Sequence, residues 1–344
     1  MKKLYYCTFV SGMQDLVSAV VRERLTDVSI EKLLDGAILF ETECTYDRLN
    51  FFCFNNIFAV IDVIEKSGFS IPALSSERAR AVISENNKKI KTFRVVFSME
   101  NKPASVSETL RYDIENIIIK NSARPASVAL KVDRLRPDTE FCLLSRREGF
   151  SVFMKRLTRS AQKKLRPGEL PSQLAWLLCR VGDLKSGETV IDPFCGYGSI
   201  PEAALKHFHV GKFLASDLDP RCTKITGSRP ALKNDRCEIR SADVFSLPDF
   251  IPKGSLDAII TDPPWGMYRE TKIPLEKFYE ETLVLFSKLL KNGGRSVILS
   301  AARQELETAA SKIKDLSIEQ TISILVSGKK AAVYRIANNS PHAK

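Results

Sequence analysis

The C-terminal half of this chain predicts an α/β domain on a parallel sheet, and the N-terminal half predicts α+β modules. Three observations carry this. From residue 188 onward, short apolar runs alternate with helix-patterned stretches, the rhythm of strands joined by crossover helices and covered on both faces. Four of the strand ends meet aspartates: Asp192, Asp217, Asp243 and Asp262. The first 160 residues instead carry several short strands around two helical stretches, which suits antiparallel sheets with helices packed on them.

In chain order, LYYCTFV and AILFETE read as strands around a helix at Asp15–Arg24, where Val17, Val20 and Val21 share a face at helical spacing. Residues 92–99 read as a strand. Residues 105–120 read as a helix, with Leu110, Ile114, Ile117 and Ile118 three and four apart. SVALKVDRL, TEFCLLSR and GFSVFMKRL follow as strands. Pro167-Gly168 and Pro171 mark a linker, with a helix near Ser172–Val181. Then come ETVIDP (strand), SIPEAALKHF (helix), KFLASD (strand) and a helix near Arg221–Lys233. CEIRSAD and SLDAIITD are strands, Leu275–Leu290 a helix and RSVILSAA a strand. TISILVS–GKK–AAVYRIA closes the chain as a hairpin with Gly328 in its turn. The expected borders are 1–65, 66–160, a linker and lead-in helix at 161–180, and 181–344.

A chain of 344 residues, 44% apolar and 27% charged, belongs to the soluble globular class, with room for two or three domains. No apolar stretch reaches the roughly 18–20 residues of a membrane span, and MKKLYYCTFVSGMQDL lacks the apolar core of a signal peptide. Eight cysteines form no CxxC and there are only three histidines. That argues against a metal cluster or a disulfide framework and for reduced thiols in the cytoplasm. Net charge is +11, and residues 120–166 hold 13 Lys/Arg against 4 Asp/Glu. Such a strip suits a polyanion, because each neutralised phosphate releases counterions. Its densest part, 146–166, makes Arg146, Arg147, Lys155, Arg156, Arg159, Lys163 and Lys164 the candidate phosphate contacts, against the alternative of a solvated face.

The chemistry sits at the strand ends. In VIDPFCGYGSIPEAAL (190–205), a strand ends on Asp192, and Gly196 and Gly198 turn into a helix. Glycines let a ligand approach the backbone, and a helix N-terminus offers free N–H groups. A bare Gly-x-Gly also suits an ordinary turn. A dinucleotide fingerprint wants a third glycine at 201, where this chain has Pro201. Asp192 would also repel a pyrophosphate and welcome a cationic ligand, so a nicotinamide oxidoreductase is disfavoured. Asp217 ends the next strand, where a carboxylate binds ribose hydroxyls. Asp219 reads as a helix cap. Asp243 stands where an acid accepts from an adenine amino group. Cys195 reads as a small packing residue of the loop, not a nucleophile. Ligands of open α/β sheets bind outside the carboxyl ends of the strands, where these four carboxylates collect.

This rim resembles that of the class I, S-adenosylmethionine-dependent methyltransferases, with a Rossmann-like sheet, over about residues 180–340. The resemblance implies that Asp192, Pro193, Phe194, Cys195, Gly196 and Gly198 face the methionine part of the cofactor, Asp217 the ribose and Asp243 the adenine, with Asp262 beside them. TDPPWG resembles the (D/N)-PP-(Y/F/W) motif of enzymes that methylate exocyclic amines. It implies Asp262 and the Pro263 carbonyl as acceptors for the amine, Pro263 and Pro264 as locks on the loop, and Trp265 as a stacking face for the base. The first half, from YYCTFVSGMQDLVSAVVRERL through FRVVFSMEN to the basic strip, resembles a ferredoxin-like region followed by a THUMP RNA-binding domain. KKLRPGELPSQLAW is similar to the lead-in segment of such proteins.

Together these features resemble the tRNA guanine-N2 methyltransferases. The resemblance implies a tRNA substrate held by its acceptor stem and 3′ end, and N2-methylguanosine as product, with position 6 favoured over 10. It implies neither a metal, a membrane nor an obligate protein partner. The alternatives are an rRNA guanine-N2 or N6-adenine methyltransferase on the same rim, and a catalytically silent RNA-binding protein.

Overall fold

The computed structural model describes residues 2–49, 51–84, 90–122, 130–158, 165–267, 273–326 and 328–340. The chain divides into two compact units, Met1–Phe9 with Val17–Lys163, and Val10–Leu16 with Lys164–Lys344.

The first unit contains β1 (Lys3–Thr8), α1 (Gln14–Arg24, shared with the second unit's Val10–Leu16 segment), β2 (Ser29–Leu34), β3 (Ala37–Thr42) and β4 (Asn56–Ile64). It continues with α2 (Glu77–Ser84), β5 (Thr92–Met99), β6 (Lys102–Pro103), α3 (Glu108–Asn121), β7 (Lys131–Val132), β8 (Thr139–Ser145) and β9 (Ser151–Arg156). Among the described residues these strands form one sheet in the order β2-β3-β1-β4-β9-β8-β5-β6, with β7 against β5. It is buried on both faces: along β9, Phe153 joins a core with Phe93, Ile114 and Phe141. Its neighbours Val152 and Met154 join another with Tyr6, Leu39 and Phe58. That is the strand's period of two at work. The helical spacings hold: Val17, Val20 and Val21 are buried on α1, and Ile114 and Ile118 on α3. Ser107 caps α3, its side chain accepting from the Leu110 N–H at 3.2 Å.

Three features differ from the sequence expectation. The sheet is mixed, because β5 runs parallel to both β7 and β8. The position expected as a border, near residue 65, follows β4, which pairs with β9 within one continuous sheet. Of SVALKVDRL, part lies outside the described residues, and the described part holds only the short β7. The sequence reading also passed over β2, β4 and α2: β2 and α2 have sparse apolar positions, whereas β4, NIFAVIDVI, is apolar at all but Asn56 and Asp62 and was simply missed.

The second unit contains α4 (Ser172–Val181), β10 (Thr189–Asp192), α5 (Ser199–His207), β11 (Lys212–Asp217), α6 (Pro220–Ser228), β12 (Cys237–Ser241) and β13 (Leu256–Thr261). After these come α7 (Leu275–Leu289), β14 (Leu290–Ser300), α8 (Arg303–Ser311), β15 (Leu316–Val326) and β16 (Lys329–Asn338). The sheet order is β12-β11-β10-β13-β14-β16-β15. The first five strands are parallel, and β16 is antiparallel to both β14 and β15. The near-continuous apolar runs of β10 and β13 follow from burial on both faces: Ile191, Ile259 and Ile298 pack with Phe286 and Leu289 of α7 at no more than 1% exposure. Strand order reverses between β10 and β13, which places the topological switch point, and the opening for a ligand, at their C-terminal ends. No helix among the described residues is long and apolar enough to cross a membrane.

Candidate active site

The glycine loop is built by the carboxylates around it. β10 ends on Asp192, which is 1% exposed. Its Oδ1 accepts from the Phe194 N–H at 3.1 Å and from the Thr261 hydroxyl at 2.6 Å. Burial pushes the Asp192 carboxyl up to about 8. The Thr261 and Phe194 hydrogen bonds oppose that shift, while the charges of Asp262 and Asp217 add to it. Asp217 is buried at the end of β11 and braces the loop: Oδ2 accepts from the Gly196 N–H at 2.8 Å and Oδ1 from the Asp219 N–H at 2.9 Å.

Gly198 caps α5 in the left-handed conformation, φ +85°. A Cβ there would stand 2.8 Å from Thr226 Cγ2, and Thr226 Oγ1 donates to the Gly196 carbonyl at 2.9 Å. Pro201 sits in the first turn of α5, where its missing N–H costs nothing. Pro193 and Cys195 are buried and Phe194 half-buried. Burial, and then the charges of Asp192 and Asp217, push the Cys195 thiol far up, which suits packing and not nucleophilic attack.

The two other rim positions differ in kind. Asp219 caps α6 by accepting from the Arg221 N–H at 2.9 Å, the role the sequence suggested. Asp243 is half-buried and caps a 3-10 helix at Val244–Asp249, accepting from the Phe245 N–H at 3.1 Å.

β13 delivers the tetrapeptide onto the same rim. Asp262 is half-buried, and its Oδ1 accepts from Trp265 Nε1 at 2.9 Å. The same indole N–H lies 3.2 Å from the Leu299 carbonyl. The indole expected as a stacking face is therefore half-buried and tied by its edge to the carboxylate it follows. The Pro264 carbonyl accepts from the Tyr279 hydroxyl at 3.1 Å. Because Thr261 of β13 bonds Asp192 of β10, the glycine loop and the tetrapeptide flank one switch point.

The basic strip behaves differently from its sequence expectation. Arg146 is buried and paired with Glu148 at 2.7 Å. Lys155 is 4% exposed, with Nζ donating to the Val82 carbonyl at 3.1 Å. Arg156 is half-buried, pairs with Glu140 at 2.6 Å and lies over the Phe58 ring at 4.8 Å. The physical reason is that Lys155 and Arg156 stand on β9, an interior strand paired on both edges with β4 and β8. Arg147 is exposed. Arg159, Lys163 and Lys164 lie outside the described residues.

Several site residues escaped the sequence reading. Thr261 and Tyr279 looked like ordinary strand and helix residues. Leu218 and Phe245 are apolar yet 60% and 42% exposed, one residue after Asp217 and two after Asp243. An exposed apolar residue next to a strand-end carboxylate is the signal that identifies them, and only coordinates supply exposure.

Comparison with known proteins agrees with this geometry. The family described as UPF0020, RMKL-like, methyltransferase domain, matches residues 159–330. A tRNA (guanine(6)-N2)-methyltransferase of Thermus thermophilus is 33% identical over 155 residues, 44% of this chain and 45% of that protein. A U6 snRNA (guanine-N2)-methyltransferase of Homo sapiens is 30% identical over 155 residues, 44% of this chain and 29% of that protein. The chain thus spans less than half the length of these relatives. The solved structure of TrmN from Thermus thermophilus superposes with a TM-score of 0.78 at 19% identity, covering 98% of this chain and 99% of that one. Its likeness shows the fold over nearly the whole chain. A parallel sheet with an antiparallel last pair, a glycine loop after its first strand and a matching family model over half the chain lead to one conclusion: the chain belongs to the UPF0020, RMKL-like methyltransferase-domain family, and its second unit has the class I S-adenosylmethionine-dependent methyltransferase fold.

Proposed function

We propose that this chain transfers a methyl group from S-adenosylmethionine to the exocyclic N2 amine of a guanine in tRNA, in or near the acceptor stem, with position 6 ahead of position 10. The observation that carries this reading is the Asp262 tetrapeptide at the end of β13, joined to the glycine loop through the 2.6 Å bond between Thr261 and Asp192.

The residues present fit the cofactor. A Cβ at Gly196 would meet nothing nearer than the Phe194 carbonyl at 4.0 Å, so the loop leaves room for a ligand. A cationic amino-acid part placed beside Asp192 would favour its ionised form against the burial that raises it, and Asp217 suits ribose hydroxyls. The exposed Leu218 and Phe245 suit the faces of an adenine, and Asp243 suits its amino edge. S-adenosylmethionine supplies an electrophilic methyl group on a sulfonium when bound.

A guanine amine is a poor nucleophile, because its lone pair is delocalised into the ring. Acceptors on its N–H groups favour a more tetrahedral nitrogen and hold it in line. Asp262 and the Pro263 carbonyl serve as those acceptors. A carboxylate offers about four lone-pair sites, of which the Trp265 N–H uses one. The amine proton becomes acidic only as transfer proceeds, so Asp262 needs no raised basicity. A base in a duplex must be flipped out to reach the site, and half-buried Trp265 offers it an aromatic surface.

We assign RNA binding to the first unit, as a ferredoxin-like region and a THUMP domain, in a cytoplasmic protein. Exposed Arg147 heads the candidate phosphate contacts, followed by Arg159 and Lys163, with Lys164 opening the second unit's main segment. The excess of 11 positive charges supports a polyanionic partner. The test is methyl transfer from labelled S-adenosylmethionine to unmodified bulk tRNA, then nucleoside digestion and mass spectrometry. N2-methylguanosine is the expected product. N6-methyladenosine would overturn the choice of amine, and label in U6 snRNA or rRNA but not tRNA would overturn the choice of substrate.

A further inference from the structure

We infer that Tyr279, held by Ser300, is a positioning residue for the Asp262–Trp265 tetrapeptide, its hydroxyl setting the Pro264 peptide and so the acceptors presented to the incoming amine. The inference deepens the methyl-transfer reading and rests on it.

Tyr279 is 1% exposed on α7. Its hydroxyl lies 3.1 Å from the Pro264 carbonyl oxygen and 2.7 Å from Ser300 Oγ. Ser300 is buried at the end of β14, and its Oγ accepts from the Ala302 N–H at 3.0 Å. The direction of each bond follows by elimination. A carbonyl oxygen only accepts, so the one phenolic hydrogen goes to Pro264. The hydrogen between Tyr279 and Ser300 is then the serine's. Ser300 Oγ, having donated it, accepts from Ala302. The chain Ala302 N–H, Ser300 O–H, Tyr279 O–H, Pro264 C=O thus runs one way only. Burial raises the phenol's pKa, so it stays protonated and keeps donating.

What this bond adds is visible from the backbone. The two proline rings fix φ at Pro263 and Pro264. The remaining rotation at Pro264 is ψ, which aims its carbonyl, and the bond to a buried phenol settles it. A second anchor acts on the same segment: Trp265 Nε1 bonds Asp262 Oδ1 and the Leu299 carbonyl. Leu299 and Ser300 are consecutive residues at the end of β14, so both anchors stand on one rigid strand end. The Pro264 carbonyl is turned toward buried Tyr279, and the two anchors together fix the segment's ends.

The test uses Tyr279→Phe, Ser300→Ala and the double variant in the full chain. The readouts are kcat and KM with RNA, cofactor affinity by calorimetry, and indole emission in a Trp176→Phe background, where Trp265 is the one remaining tryptophan. Misplacing a positioning group by about 1 Å costs on the order of a hundredfold in rate. We expect Tyr279→Phe to lower kcat about tenfold or more on that ground, with KM and cofactor affinity held within about twofold and the Trp265 emission shifted. Ser300→Ala should lower kcat less, and the double variant should be no worse than Tyr279→Phe alone. A Tyr279→Phe kcat within twofold of wild type would overturn the inference, as would a loss of kcat matched by an equal loss of cofactor affinity. Should Tyr279→Phe fail to fold, Ser300→Ala decides, since it leaves the ring in place: an unchanged kcat and emission would overturn the inference. Wild type that methylates no RNA would instead defeat the proposed function, and the emission shift alone would then decide the positioning role.

Discussion

The Thr261 hydroxyl donates to Asp192 Oδ1 at 2.6 Å, joining the ends of the two strands between which the sheet reverses its order. Neither residue need touch a substrate for the pair to matter. It ties the glycine loop, proposed to hold the cofactor, to the tetrapeptide proposed to meet the amine.

The buried Asp192 predicts a pH dependence of stability. Its carboxyl is raised from 3.8 to about 8 in the folded chain. The unfolded chain therefore loses this proton first. The contribution of Asp192 to stability is complete below about pH 4, falls as pH rises toward 8 and levels off above. Asp192→Asn keeps an oxygen for Thr261 and removes the titration. Urea unfolding at pH 5 and pH 8 should show a smaller loss across this interval in Asp192→Asn than in wild type. An equal loss in both would clear Asp192 of the effect.

Asp262 accepts the Trp265 N–H and is proposed to meet the amine, and two substitutions test the proposed role. Asp262→Ala should leave cofactor affinity nearly intact and lower kcat on the order of a hundredfold or more. Asp262→Asn replaces two acceptor oxygens by one oxygen and an NH2 group, so it can keep the indole bond while offering the amine a weaker acceptor, and its activity should fall between alanine and wild type. Turnover of Asp262→Ala equal to wild type would remove the residue from the mechanism.

Gly198→Ala tests the cradle. The left-handed backbone costs a non-glycine residue about 1–2 kcal/mol, and here the new Cβ would stand 2.8 Å from Thr226 Cγ2. We expect a lower unfolding midpoint and weaker cofactor binding, measured by urea titration and calorimetry. Binding unchanged from wild type would show that the loop tolerates displacement.

The basic residues should part into two groups. Arg147→Glu should weaken tRNA binding and reduce the salt slope by about 1, since one phosphate contact is lost. Lys155→Ala should chiefly lower thermal stability, because Nζ serves the Val82 carbonyl inside the unit. It removes a donor from a part-buried carbonyl and the packing of a buried side chain, so a loss of about 1 kcal/mol is expected. A salt slope unaffected by Arg147→Glu would move the phosphate path elsewhere on the protein.

The alternation of apolar runs and helical spacing from residue 188 onward was enough to specify a parallel sheet, because strands buried on both faces must be apolar along their whole length. Two prolines after Asp262 and two glycines after Asp192 were legible for the same reason: their backbone limits are properties of the residue itself. Burial was not legible. Lys155 and Arg156 read as a basic surface until β9 was placed between β4 and β8, since one strand's sequence does not say whether its edges are covered. Thr261, Tyr279 and Ser300 lie far apart in sequence, or in ordinary-looking contexts, and they carry no local pattern. Their roles arise from pairings across β13, α7 and β14. Sequence alone determined which residues stand at the strand ends; tertiary structure decided which side chains hold those ends in place, because a hydrogen bond between distant residues depends on the packing that brings them together.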